Sequence, residues 1–195
     1  SLEGCSILEN IAGGLAEDVP LSGGGGGLLT AVAYVAAENC TLEGNVALGT
    51  EDGIGIGGGA AALVSMWDFV ACAIRDNIAR DSVNLPGLGG GLVTLLSLSH
   101  FTDCAVADNI AGDEGAGGMG GGMLSLFDLL LSVQRCDISG NTAGTGGGEA
   151  LGGGMFIGPS LMSAVILDSL IADNDAGSEG TEFAAGGGIA AAMLD

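Results

Sequence analysis

The sequence predicts an all-β protein, a right-handed parallel β-helix (solenoid) of about six coils, each of about 32 residues and three strands, spanning residues 1–195 as one segment. Three observations predict it. Cys5, Cys40, Cys72, Cys104 and Cys136 are separated by 35, 32, 32 and 32 residues. Five positions after each comes an asparagine (Asn10, Asn45, Asn77, Asn109, Asn141), and a sixth copy places Ser169 and Asn174 in the same two columns. Each copy also holds a glycine triplet, at residues 25–27, 57–59, 89–91, 120–122, 152–154 and 186–188.

No stretch shows a 3.6-residue apolar period, and glycine at this density weakens helices, so the unit reads as β-length segments joined by turns. The first strand follows the triplet, the second leads into the cysteine and the third runs from cysteine to asparagine. Ile7, Leu42, Ile74, Val106, Ile138 and Ile171 stand two places after the cysteine column, and Ala37, Phe69, Phe101 and Val133 three places before it. Strand alternation puts them on the cysteine's face, with Ser6, Thr41, Glu43, Asp103 and Arg135 opposite. Coils stacked at about 4.8 Å then bury each column in one continuous core. A loop-bearing unit of this length suits the right-handed form, because the left-handed hexapeptide form needs shorter coils. In this reading the asparagines take a left-handed turn conformation and hydrogen-bond along the stack as an amide ladder, while the triplets supply positive φ at another corner.

The repeat resembles those of polymorphic outer-membrane-protein-type surface proteins in the pectin-lyase-like β-helix superfamily, which carry GGA-[ILV] and F-x-x-N motifs. Here the first stands as GGGL, GGGA, GGGM or GGGI, and the second as Ile7-x-x-Asn10, Ile74-x-x-Asn77 or Ile138-x-x-Asn141, with Ile, Leu or Val in place of Phe. The resemblance covers nearly the whole chain. It implies a pectin-lyase-like fold, a fold that hosts adhesins, fibre components, lyases and hydrolases alike.

Charge narrows the function classes. Twenty-four acidic residues face three arginines (Arg75, Arg80, Arg135), for a formal net charge of -21, which excludes a phosphate-neutralising nucleic-acid binder and disfavours an anionic membrane surface. Stacked acidic loops make Ca²⁺ the natural cation, with Glu51, Asp52, Asp113 and Glu114 as its ligands, although the GGxGxDxUx calcium repeat is absent and a solvated acidic edge accounts for the same residues. No other cofactor is expected. Cys40, Cys72, Cys104 and Cys136 read as a buried column of free thiols, since in-register side chains have a poor dihedral for disulfides. No signal peptide or membrane span is legible. The chain opens mid-unit and ends inside a strand, which suggests part of a longer chain or one that stacks end to end. Asn39-Cys40-Thr41 is formally a glycosylation sequon.

Catalysis would lean on His100, with Asp68 one coil earlier in the same column and Asp103 further along the strand, an acid/base set for an acidic polysaccharide. The negative surface would repel such a polyanion. The strand after each triplet is apolar on both faces, so Leu29, Val93, Leu124 and Phe156 are expected to form an exposed apolar sheet face. That face would pack on other protein chains or flanking parts of the same chain, with glycans as a further partner class. The favoured expectation is a non-catalytic extracellular structural or adhesive scaffold in a surface fibre, appendage or wall layer. The alternative is a polysaccharide-active enzyme or carbohydrate-binding β-helix. A third reading, an ice- or mineral-facing protein, rests on small residues at Thr30, Ala62, Thr94 and Ser125, a column that Ile157 breaks.

Overall fold

Every regular element is a short strand paired in parallel with its equivalent one repeat away, and no helix occurs among the described residues. The computed structural model describes residues 1–13, 23–49, 53–80, 85–112, 117–146, 148–160, 163–177 and 181–192. Five six-stranded parallel sheets result, which together wind a β-solenoid of about five full turns.

Three of these sheets are the expected ones. The post-triplet sheet contains Leu28–Ala31, Ala60–Leu63, Leu92–Leu95, Met123–Leu126, Met155–Ile157 and Ile189–Ala191. The pre-cysteine sheet contains Tyr34–Glu38, Met66–Val70, Leu98–Thr102 and Leu130–Gln134, and the post-cysteine sheet Thr41–Glu43, Ala73–Arg75, Ala105–Ala107 and Asp137–Ser139. Each repeat pairs two further segments that the sequence reading leaves out. One follows the asparagine (Val46–Leu48, Ile78–Arg80) and one precedes the triplet (Gly55–Ile56, Gly87–Leu88). Segments this short carry no alternation to detect.

Register is like over like. Ile7, Leu42, Ile74, Val106, Ile138 and Ile171 are successive Cα partners. The three expected sheets enclose the main core, in which Phe69, Phe101, Ile74, Val106, Ile138 and Leu131 are fully buried. Each such side chain contributes about 1.5–3 kcal/mol of transfer free energy. Trp67 stacks on Phe69 at 5.0 Å between ring centroids and meets Phe101 edge-on, and its Nε1–H donates to Thr30 Oγ1 at 2.9 Å. Ring burial and a satisfied indole N–H thus coincide in one coil.

The coil turns at residues of positive φ, in five recurring columns, one of which is Gly112, Gly144 and Gly177. The first glycine of every triplet is a second. The residue before each cysteine position is another (Gly4, Asn39, Ala71, Asp103, Arg135, Asp168), as is the residue before each ladder asparagine (Glu9, Gly44, Asp76, Asp108, Gly140, Asp173). This corrects the expected turn role of the asparagines. Their predecessor takes the left-handed conformation, which leaves the amide free to point along the stack. The fifth column is Val32, Val64, Leu96 and Phe127, at φ of 52°, 50°, 52° and 53°. Left-handed backbone costs an ordinary L-residue about 1–2 kcal/mol, and a β-branched one is the least suited to it.

Candidate functional site

The asparagine ladder is the best-built polar feature of the molecule. Asn45, Asn77, Asn109 and Asn141 are completely buried. Each Oδ1 accepts both the backbone N–H and the Nδ2–H of the preceding asparagine, as Asn109 Oδ1 does from Asn77 at 3.0 Å in both cases. Each Nδ2 also donates to the carbonyl two places after the previous coil's cysteine position, as Asn77 does to Leu42 and Asn109 to Ile74, both at 3.0 Å. Every buried amide group of the column is thereby satisfied, the condition under which a buried polar network stabilises rather than costs. Sequence reasoning placed the glycine triplet at a different corner from the ladder, whereas the two meet. A Cβ on Gly91 would stand 3.0 Å from Asn109 Cγ, and one on Gly59 3.0 Å from Asn77 Nδ2.

All five cysteines are free thiols, with Cys40, Cys72, Cys104 and Cys136 buried and Cys5 partly so. Successive carbonyls of the column accept the N–H that follows the next cysteine, as Cys72 does from Ala105 at 2.9 Å. The thiols donate weakly to backbone oxygens, Cys104 Sγ to Thr102 at 3.3 Å and to Phe69 at 3.4 Å. Burial pushes the Cys40 pKa up, and the neighbouring Cys136 and Cys72 thiols together with burial push that of Cys104 up as well. Such thiols pack as small apolar groups.

A second polar ladder escaped the sequence reading. Ser65 Oγ accepts from the Ala33 N–H at 3.3 Å, Ser97 Oγ from the Ser65 N–H at 3.1 Å, and Asp128 Oδ1 from the Ser97 N–H at 2.7 Å. Asp128 is fully buried, and its Oδ2 also accepts the hydroxyls of Ser125, at 2.6 Å, and Thr94. Desolvation raises its pKa despite these three partners. A carboxyl whose folded pKa lies above its unfolded value contributes stability that is present below the unfolded pKa and lost as pH rises through the folded one. Asp128→Asn keeps an acceptor for Ser97 and offers an amide to the two hydroxyl oxygens. Its melting temperature should exceed the wild type's at neutral pH, with the gap closing on acidification below the ordinary carboxylate range. Thermal denaturation across pH measures this, and a wild type that gains stability relative to the variant as pH rises would refute it.

Asp68 and His100 are register partners on the outer side of the pre-cysteine sheet, yet no hydrogen bond joins them. Asp103 instead accepts both Nε and Nη2 of Arg135, at 2.8 and 2.9 Å, and that guanidinium holds its carboxyl below the usual range. Arg75 pairs with Glu43 one coil away at 3.0 Å. Among the described residues no group of three or more His, Cys, Asp or Glu converges as a metal site. Glu51, Asp52, Asp113 and Glu114 lie outside the described residues. Asn39 of the sequon sits exposed at a left-handed corner.

Two surface expectations are corrected. Val93 is 3% exposed, Leu124 0% and Phe156 9%, and only Leu29, at 53%, is open. The pre-triplet segment folds back so that Ile56, Leu88, Met119 and Leu151 cover this face from the same chain. The column Thr30, Ala62, Thr94 and Ser125 is likewise buried, inside the main core, so it offers no flat face to ice or mineral. Exposed apolar surface also lies at the corner of Val32, Val64, Leu96 and Phe127, which are 81%, 55%, 43% and 39% exposed.

Among the described residues no helix is long and apolar enough to cross a membrane. No protein-family model, curated protein or solved structure matches the chain significantly.

Proposed function

We propose that the chain is a non-catalytic extracellular structural or adhesive scaffold, a right-handed parallel β-helix of about six coils with three principal strands around its core, serving in a cell-surface fibre, appendage or wall layer. One observation carries the reading: the recurring residues of the repeat are spent on stacking coil upon coil. The asparagine amides bond along the axis, the thiols fill the core, and the third triplet glycine leaves room for the amide beside it. A stack held by identical nearest-neighbour contacts gives a stiff rod whose length scales with repeat number. Right-handed crossovers are the strong preference for parallel strands joined within one sheet. The resemblance of the GGGL and Ile-x-x-Asn motifs to surface-protein repeats points the same way, and so does the acidic exterior, which opposes capture of an acidic polysaccharide.

The competing polysaccharide-active reading has one observation behind it, the register pairing of Asp68 with His100. Incubation with pectin-like and alginate-like polymers, following new reducing or unsaturated ends, separates the two. The expected result is no cleavage, unchanged by His100→Ala or Asp68→Asn. Cleavage that either substitution abolishes would replace the scaffold with an enzyme.

A further inference from the structure

All but one of the left-handed corner columns use residues suited to a turn. The triplet corner and the corner at Gly112, Gly144 and Gly177 are all glycine, and two more are mostly glycine, aspartate or asparagine, with an occasional Ala, Arg or Glu. The exception is Val32, Val64, Leu96 and Phe127, apolar at all four positions, and all four side chains are exposed. Glycine would relieve both the backbone strain and the exposure, so a large apolar residue there is retained against two local costs. Strain held in this way marks a working surface.

The column forms one bank of a groove along the solenoid axis. Val32, Val64 and Leu96 line one side, Tyr34, Met66 and Leu98 the other, around a cleft of about 320 Å³ floored by Ala33 and Ser65. Phe127 and Leu129 extend the ridge by a coil, at 39% and 42% exposure. None of these side chains is charged, on a molecule of formal net charge -21. Seven of these residues are between 39% and 81% exposed, a contiguous apolar strip of the kind that marks a protein–protein contact.

We propose that this ridge and groove are the surface on which two copies of the chain pair about a two-fold axis, each ridge seated in the other's groove. The occupant follows from spacing and charge. Apolar teeth that recur once per coil, about 4.8 Å apart, match a surface with the same repeat, and a second copy carries it. A two-fold axis makes a single patch complementary to itself. Confining contact to an uncharged strip turns the acidic faces of both copies outward, so salt screening favours the pair. The proposal rests on the scaffold reading and names the partner within it.

Sedimentation equilibrium of the full chain at micromolar concentration, in low and in physiological salt, tests it. The wild type should dimerise, more tightly in higher salt. Val64→Gly combined with Leu96→Gly, which relaxes two left-handed residues, should keep the wild-type melting temperature or raise it while weakening the dimer about tenfold or more. Met66→Glu on the opposite bank should have the same effect on association, and Leu8→Ser, on another face, none. A wild type that stays monomeric, a dimer that survives loss of the ridge, or a monomer that takes up an alkyl probe in the groove would each overturn the proposal. A monomer that cleaves no polysaccharide leaves the scaffold reading standing, and a dimer that cleaves one removes that reading while keeping the interface.

Discussion

Replacing Asn109 by alanine should destabilise the protein by about 4 kcal/mol, because it strands several buried groups at once. Asn77 loses the acceptor for both its N–H and its Nδ2–H, the Ile74 carbonyl loses its amide donor, and Asn141 Oδ1 loses one of its two. Each buried donor left without a partner costs about 1–3 kcal/mol, and a small void adds to that. Asn109→Asp should be no better. A carboxylate still accepts from Asn77 but cannot donate to Ile74 or Asn141, and it places a charge at a site with 0% exposure. Since coils interact chiefly with their neighbours, the damage should be local. Hydrogen exchange at the Asn77 amide should lose its protection before that of distant coils. Asn174→Ala is the control. Asn174 is partly exposed and accepts from Asn141, so its loss should cost clearly less. Urea unfolding of the two variants tests the ranking, and equal costs would show that the ladder does not hold the stack.

The ladder was legible in the sequence because the short asparagine amide donates to one coil and accepts from the other at a fixed reach, so the same letter recurs. Cys40, Cys72, Cys104 and Cys136 were legible for a related reason, since a small apolar group fits the same core slot in every coil. The serine ladder was not, because Ala33, Ser65, Ser97 and Asp128 differ in chemistry and a one-residue shortening shifts the last of them out of the 32-residue step. The left-handed corner at Val32, Val64, Leu96 and Phe127 ran against expectation outright, as valine and leucine there read as strand. The covered face failed differently. Leu29, Val93, Leu124 and Phe156 do point away from the main core, but the cover comes from Ile56, Leu88 and Met119, single apolar residues between glycines, and from Leu151 just before its triplet, with no period around them. Alternation reports which way a side chain faces, and only the tertiary fold determines whether solvent lies beyond it.

Substituting alanine for Gly90, the middle glycine of its triplet, should cost more than about 4 kcal/mol or leave no folded chain, which places it among the exceptional single substitutions. A Cβ there would overlap the Gly121 carbonyl oxygen and the Ile110 carbonyl carbon, and would stand 2.6 Å from the Ile110 nitrogen. All three are backbone atoms held in the stack, Gly121 through the N–H it donates to Gly152 and Ile110 through the N–H it donates to Asn77. Neither can retreat without opening the coil spacing that the ladders set. Two other glycines separate this steric effect from glycine's conformational freedom. Gly4 has φ of +57° but open space around a Cβ, so Gly4→Ala should carry only the left-handed backbone penalty of about 1 kcal/mol. Gly24 lacks positive φ, and its Cβ would find only the end of Leu29 at 3.8 Å, so Gly24→Ala should be close to neutral. Circular dichroism and soluble yield rank the three. A Gly90→Ala protein that melts near the wild type would mean that the backbone segments at this neck stand further apart than the stacked coils require.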